Sequence, residues 1–488
     1  MPGIEVPLSS VTKKLALKGL NAKNVLALNG TNDAKNGQEV NSHTRKVGIT
    51  TMGCKVNAYE SELISEAFKT DNWITVSAKD KADLYIVNTC TVTQEADRQA
   101  RREVRKVVRK NPEALVVVTG CYAQMDSNAC AEIPGVDLVV GNDRKLDIHD
   151  LLPELEKGDL PKVLVGDLDK HISLPNELLA GYEAQTRAFI QIQQGCDQGC
   201  TFCIIHRARG PSRSLTPTLI KRQVEKLALN GYPEVVICGV DLGSYGEDFS
   251  TASGKYDLVD LIQELLSIHV DNNQDFRIRL SSIDPVHITD RLIDLIHSEQ
   301  RVCNHIHLSL QSGNTLILKR MKRRYTREGL YNTIYKLREK VPDLVMSADV
   351  MVGFPTEEEE HFNESQQALI DLDIAFPHVF TYSNRSGTPA SKIPKVKQVA
   401  ISVKKDRAKR LRQTAENLQT RLHSKQIGKQ AWVLPEKILP TGLKARSEHY
   451  LTLKVMTESG QDQTALLGQW INVEYCGIEN GQLLAKRI

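Results

Sequence analysis

Gly195-Cys196-Asp197-Gln198-Gly199-Cys200-Thr201-Phe202-Cys203 is the densest chemical signal in the chain. Its cysteines are spaced C-x3-C-x2-C, an aromatic precedes the last one, and the run follows closely on the strand-like stretch Phe189–Gln193. A loop placed directly after a parallel strand lies on the carboxyl rim, where α/β barrels keep their active sites. Three thiolates so close together can wrap one corner of an iron–sulfur cubane and leave its fourth iron open to an external ligand. A zinc knuckle competes with this reading. Structural zinc wants four protein ligands, and His206, three residues on, is the candidate fourth.

Outward from this loop the sequence alternates strand and helix patterns. Six candidate strands follow one another: Phe189–Gln193, Glu234–Gly239, Phe276–Ser281, His305–Leu310, Val345–Val352 and His378–Tyr382. Helical patterns separate them, as at Thr218–Leu229 and Leu258–Ile268. Six β/α units predict an incomplete barrel related to the eight-fold one. Beyond it, residues 398–424 read as a Lys/Arg-rich helix. Short β-type runs then follow at Gln430–Leu434, Tyr450–Val455, Trp470–Tyr475 and Leu483–Ile488, which predict a small antiparallel barrel.

Residues 46–150 have their own alternation. Strands are expected at Lys46–Gly53, Asp83–Thr89, Ala114–Gly120 and Val136–Val140, and helices at 58–70 and 95–110. That rhythm argues for a parallel sheet covered by helices. Cys54, Cys90 and Cys121 each stand immediately after one of these strands. In a parallel sheet such ends open into one crevice, so three thiols far apart in sequence can meet. They are either three ligands of a second cluster or three buried structural thiols, since cysteine is among the most buried residue types. Cys130, Cys238, Cys303 and Cys476 fit neither set and read as ordinary thiols.

Bulk properties narrow the class. A chain of 488 residues exceeds one ordinary core and predicts several domains. Ten cysteines spread through it, with no export signal, favour metal binding or buried thiols over disulfides. No apolar run is long enough to span a membrane. The net charge of +3 is too small to argue for nucleic acid, so any RNA contact must come from local patches. Two exist. Arg98, Arg101, Arg102, Arg105 and Arg109 recur at helical spacing, and Lys319, Arg320, Lys322, Arg323 and Arg324 make a second run. A solvated face is the bland meaning of either.

The Cys196–Cys203 segment resembles the signature of the radical S-adenosylmethionine (SAM) superfamily. The longer string through Ile204, Ile205, Arg207, Arg209, Gly210, Arg213 and Ser214 is similar to the methylthiotransferase family, which often has Pro where this chain has His206. Gly53-Cys54-Lys55-Val56-Asn57, Asn88-Thr89-Cys90-Thr91-Val92-Thr93 and Thr119-Gly120-Cys121 look like the three cysteine motifs of that family's N-terminal domain. The C-terminal barrel resembles TRAM, a small RNA-binding module.

The resemblance implies an α/β chain in this order: a mobile extension (1–44), a methylthiotransferase N-terminal domain (45–150), a linker (151–184), a radical SAM domain (185–423) and a TRAM domain (424–488). It implies an auxiliary [4Fe-4S] cluster on Cys54, Cys90 and Cys121, and a SAM-binding [4Fe-4S] cluster on Cys196, Cys200 and Cys203. SAM would be held by Phe202, Gly239, Asp241, Ser282, Gln311 and Gly353, and would serve as methyl donor and radical source. An aromatic C–H is inert to bases, so a radical is required to replace it.

The implied partners are a tRNA anticodon loop, an electron donor such as a flavodoxin or ferredoxin, and a sulfur source. The implied setting is cytoplasmic. Gly-Cys-Lys-Val-Asn at 53–57, Thr-Cys-Thr-Val-Thr at 89–93 and Gly239–Gly246 look like the branch acting on N6-threonylcarbamoyladenosine at tRNA position 37. The branches for isopentenyladenosine and for a ribosomal-protein aspartate are the alternatives. A non-catalytic iron–sulfur carrier and a zinc-dependent RNA-binding protein are the rival classes.

Overall fold

Val116–Val118, Leu84–Val87 and Val235–Ile237 are unbroken apolar runs, the mark of parallel strands buried on both faces. The computed structural model describes residues 44–69, 72–159, 161–169, 178–182, 185–249, 256–270, 275–457 and 463–488. The expected N-terminal extension, except residue 44, lies outside them. The chain forms two compact units. One comprises residues up to Cys90, Gln99–Gly166 and Tyr182–Gln185; the other comprises Thr91–Arg98, Asp167–Gly181 and Thr186–Ile488.

The first unit carries a six-stranded, wholly parallel sheet of β1 (Arg45–Thr51), β2 (Trp73–Val76), β3 (Leu84–Thr89), β4 (Leu115–Gly120), β5 (Leu138–Val140) and β6 (Lys162–Leu164), in the order β2-β1-β3-β4-β5-β6. Alternation along the strands sends Leu84, Ile86 and Val117 into one core, and Tyr85, Val87, Val116 and Val118 into the other. Two strands go beyond the sequence reading. β2 is a half-exposed edge strand. β6 arises from the stretch read as linker.

The second unit contains β7 (Ala188–Gln194), β8 (Arg213–Ser214), β9 (Glu234–Gly239), β10 (Arg277–Leu280), β11 (Ser282–Ile283), β12 (His305–Gln311), β13 (Val345–Val352) and β14 (Phe376–Thr381). They run as two four-stranded sheets, β10-β9-β7-β8 and β11-β12-β13-β14. All pairs are parallel except β7 with β8. The six expected strands are all present, and the two extra ones are dipeptides. The helix Ile401–Gln426 packs on β14, where Arg412 donates to the Val379 carbonyl at 3.4 Å.

A closed barrel ends the chain: β15 (Gln430–Leu439), β16 (Gly442–Ser447), β17 (Thr452–Met456), β18 (Ile471–Glu479) and β19 (Gln482–Arg487). The expected barrel was antiparallel throughout, but β17 and β19 pair parallel. Five strands cannot alternate direction around a closed ring, so one parallel pair is unavoidable. The Arg279 side chain of β10 reaches this barrel, donating to the Ser447 and Glu448 carbonyls at 3.1 and 2.8 Å. The same guanidinium grips Glu234 of β9 at 2.6 Å.

Candidate active site

Parallel strands of similar length finish at one level, and the cysteine loop of the second unit begins where β7 finishes. Gly195 turns the chain at φ +72, and a side chain there would overlap the Pro211 carbonyl. Backbone bonds then fix the loop: Cys196 N donates to Gly210 O at 3.1 Å, Cys203 N to Cys200 O at 3.0 Å and Thr201 N to Met321 O at 3.1 Å. The thiol of Cys200 is buried, and those of Cys196 and Cys203 are half-buried.

Burial, reinforced by Asp241, pushes the Cys196 thiol up to about 12, and burial pushes Cys203 up to about 11. Such thiols stay protonated at neutral pH unless a metal draws off their protons. Cys196, Cys200 and Cys203 are free thiols. The donor set thus suits a metal group and is not tied up in disulfides.

The neighbouring strand ends supply polar groups. Gln193 is wholly buried. Its Oε1 accepts from Val240 N and Asp241 N at 2.9 and 2.8 Å, and its Nε2 donates to Gly195 O and Ser212 Oγ at 2.8 and 2.9 Å. One amide therefore locks the cysteine loop to the turn after Gly239. Asp241 is buried and accepts from Gln198 Nε2 at 2.8 Å and Ser244 Oγ at 2.9 Å; Cys196 Sγ lies 3.9 Å from it.

Gln311 closes β12 at φ +58, and its buried Oε1 has no hydrogen-bond partner among the described residues; Gln198 Oε1 is alike. Orphaned buried acceptors fit a donor-bearing ligand, because leaving such atoms unpaired costs about 1–3 kcal/mol each. Gly353 follows β13 at φ +74 and donates to Glu357 at 2.8 Å. Ser282 opens β11 and is half-buried. Phe202 packs on the apolar cluster of Met321, Phe354 and Tyr382.

Register governs the first unit as well. Thr51 pairs with Asn88, Asn88 with Thr119, and Thr89 with Gly120. Cys90 and Cys121 thus leave adjacent strands at the same level. A Cβ on Gly53 would lie 2.9 Å from Cys90 Sγ, which places the Cys54 turn against Cys90. Asn57 clamps the group by donating to Met52 O at 2.7 Å and Thr89 O at 3.1 Å. Thr89 Oγ1 donates to Thr119 O at 2.5 Å. The structure brings Cys54, Cys90 and Cys121 to one end of the sheet, exposed, half-buried and buried respectively. Cys130, Cys238 and Cys303 are buried elsewhere, and Cys476 is exposed on β18.

The basic patches need correction. Arg101 turns from its stripe to donate to Tyr122 Oη at 2.7 Å, while Arg102, Arg105 and Arg109 stay exposed. In the second patch Arg323 points inward: its side chain is 6% exposed, and it donates to Cys200 Sγ at 3.3 Å, to Ser309 O at 3.1 Å and to Asp284. A buried guanidinium needs such partners. Gln193 and Arg323 are site residues that motif reading passes over. One is hidden as a strand end, the other within a charge run.

Comparison with known proteins completes the picture. Residues 46–141 match the uncharacterized protein family UPF0004, and residues 190–369 match the Radical SAM superfamily. The chain is 36% identical over 435 residues to threonylcarbamoyladenosine tRNA methylthiotransferase MtaB of Rickettsia prowazekii, covering 89% of this chain and 96% of that one. It is 36% identical to MtaB of Bacillus subtilis over 391 residues, covering 80% and 85%. To the tRNA-2-methylthio-N(6)-dimethylallyladenosine synthase of Staphylococcus aureus it is 32% identical over 397 residues, covering 80% and 74%. Among the described residues, no helix is long and apolar enough to cross a membrane. With the cysteine loop on the rim of the second unit's strands and relatives aligned along most of the chain, the protein belongs to the radical SAM tRNA methylthiotransferases, on the MtaB branch.

Proposed function

We propose that this enzyme methylthiolates C2 of N6-threonylcarbamoyladenosine at position 37 of tRNA, in the cytoplasm. One observation carries the substrate: identity is higher, and a larger share of the relative is matched, for relatives named for threonylcarbamoyladenosine than for those named for dimethylallyladenosine. Cys196, Cys200 and Cys203 would hold a [4Fe-4S] cluster that binds SAM, and Cys54, Cys90 and Cys121 would hold an auxiliary one. When bound, these groups supply the electron, the radical and the methylthio unit that substitution at an aromatic C–H requires.

The chain's own residues do the rest. Gln193 keeps the cysteine loop and the Gly239–Asp241 turn in one geometry. Asp241, Ser282, Gln311 and Gly353 offer acceptors and backbone room to SAM, and Phe202 seals the loop beneath. Arg323 keeps a positive charge beside Cys200. Arg102, Arg105 and Arg109 offer phosphate contacts, which dominate affinity for nucleic acids. The closed C-terminal barrel acts as a TRAM module: Trp432, 55% exposed on β15, offers a stacking face, and Lys486 and Arg487 on β19 offer charge. A flavodoxin or ferredoxin supplies electrons, and a separate donor supplies sulfur.

Mass spectrometry of digested tRNA from cells with and without the gene tests the reading. Loss of 2-methylthio-N6-threonylcarbamoyladenosine, with accumulation of its unthiolated precursor, is expected. An unchanged level of that nucleoside would move the substrate to isopentenyladenosine or to a ribosomal-protein aspartate.

A further inference from the structure

Three neighbouring strands of the second unit carry metal-ligating side chains that neither cysteine set uses. His307 lies on β12 opposite Ser347, and Asp349 lies on β13 opposite His378 of the edge strand β14. The parallel ladder thus places His307, Asp349 and His378 side by side, with their ligand atoms all within 4.8 Å of one another. Asp349 stands four residues before Gly353, the residue that follows β13, about 13 Å from the rim at the usual rise per residue.

The distances separate two readings. Asp349 Oδ1 is 3.3 Å from His307 Nε2 and 3.4 Å from His378 Nδ1. A charge-assisted N–H···O bond is shorter, about 2.7–2.9 Å. Ligand atoms bound at about 2.0–2.1 Å to a tetrahedral zinc-like ion lie about 3.3–3.4 Å apart, the edge of that tetrahedron. Outer support is present too. His307 Nδ1 lies 2.7 Å from Ser347 Oγ, which lies 3.0 Å from His305 Nε2. A proton on His307 Nδ1, donated to Ser347, leaves Nε2 as a free lone pair facing Asp349; metal-bound histidines are fixed in this way. His307 is buried, whereas His378 is half-exposed.

We propose that His307, Asp349 and His378 bind a divalent first-row cation of the zinc or ferrous class, with an open fourth position. Two imidazoles and one carboxylate suit such ions. Three protein ligands with an open position mark a site that can take an exchangeable oxygen ligand, in contrast to a closed structural one. The inference is independent of which adenosine is modified.

The test is equilibrium dialysis of the full, cluster-reconstituted chain against micromolar zinc, with zinc and iron per chain read by plasma mass spectrometry. One zinc is expected in addition to an unchanged iron content. His378→Gln and Asp349→Asn should each weaken zinc binding by more than tenfold, since loss of an outer partner alone costs about 10–100-fold. His378 lies at the surface, so His378→Gln keeps the test decisive if Asp349→Asn fails to fold. Absence of zinc from the wild type, zinc that enters only as iron leaves, or equal binding by both variants would overturn the site.

Discussion

Arg323 donates from Nη1 to Cys200 Sγ at 3.3 Å, and its other terminal nitrogen binds Asp284. A buried cation beside a cluster favours the reduced, more negative form and so raises its potential. Arg323→Lys keeps the charge against Asp284, but one ammonium cannot span Cys200, Asp284 and Ser309 together. We expect full iron content, a more negative potential in electrochemical titration, and SAM cleavage slowed by about tenfold. An unchanged potential and rate would reduce Arg323 to a fold residue.

Gln193 makes a separable prediction. Gln193→Leu keeps the size but orphans the Val240 and Asp241 amides and the Gly195 carbonyl, at about 1–3 kcal/mol each if they stay buried. The turn after Gly239 should shift. KM for SAM is expected to rise severalfold, while Gln193→Glu, which still accepts from both amides, should recover part of it. A KM equal to wild type in both variants would count against the positioning role.

Particular residues show what the sequence could and could not disclose. β9 and β13 were legible to the residue, because apolar runs such as Val235–Ile237 and Val350–Val352 mark strands buried on both faces. β16 was missed: only Leu443 and Ala445 face the barrel core, while Lys444 and Arg446 alternate outward, so it reads as a polar turn. The positions of the six cysteines were legible because Cys54, Cys90 and Cys121 come after β1, β3 and β4, and Cys196, Cys200 and Cys203 share the loop after β7. Gln193 and Arg323 were not, because their roles depend on partners more than forty residues away. A charge run says nothing of which member turns inward.

Glu234 is fully buried among Arg279, Arg277 and Arg187. Burial alone would raise its carboxyl pKa, but the three guanidinium groups outweigh that and hold it well below the usual range. A folded value under the unfolded one, about 4.3, means that the ionised carboxylate stabilises above that pH and ceases to as pH falls further. Glu234→Gln should cost roughly 3 kcal/mol at neutral pH by leaving buried cations uncompensated. Thermal unfolding should show this gap narrowing below about pH 4. A gap constant with pH would mean that charge is not its source.

The two cysteine sets should fail differently. Cys54→Ala should lose about half of the iron, keep SAM cleavage and abolish the methylthio product, since only one cluster's ligands are touched. Cys200→Ala should abolish deoxyadenosine formation. A Cys54→Ala enzyme that still makes methylthiolated tRNA would remove the assigned role of the first unit's cysteines.

Gly120 offers a test of geometry alone. Its φ is +92, and a Cβ there would overlap the Thr89 carbonyl, one residue from Cys90 and from Cys121. Gly120→Ala therefore carries two penalties: left-handed strain of about 1–2 kcal/mol, and a forced separation of β3 from β4 at the level of both thiols. Gly481 separates them, with φ +77 and nothing within 4 Å of its Cβ position. Gly481→Ala should lower the melting temperature by a few degrees and leave iron content unchanged. Gly120→Ala should lower it further and lose the iron that Cys54→Ala also loses, with SAM cleavage retained. If Gly120→Ala kept its full iron, the thiols of Cys90 and Cys121 would not depend on this strand register to meet, and the first unit's site would have to be built from a different set of ligands.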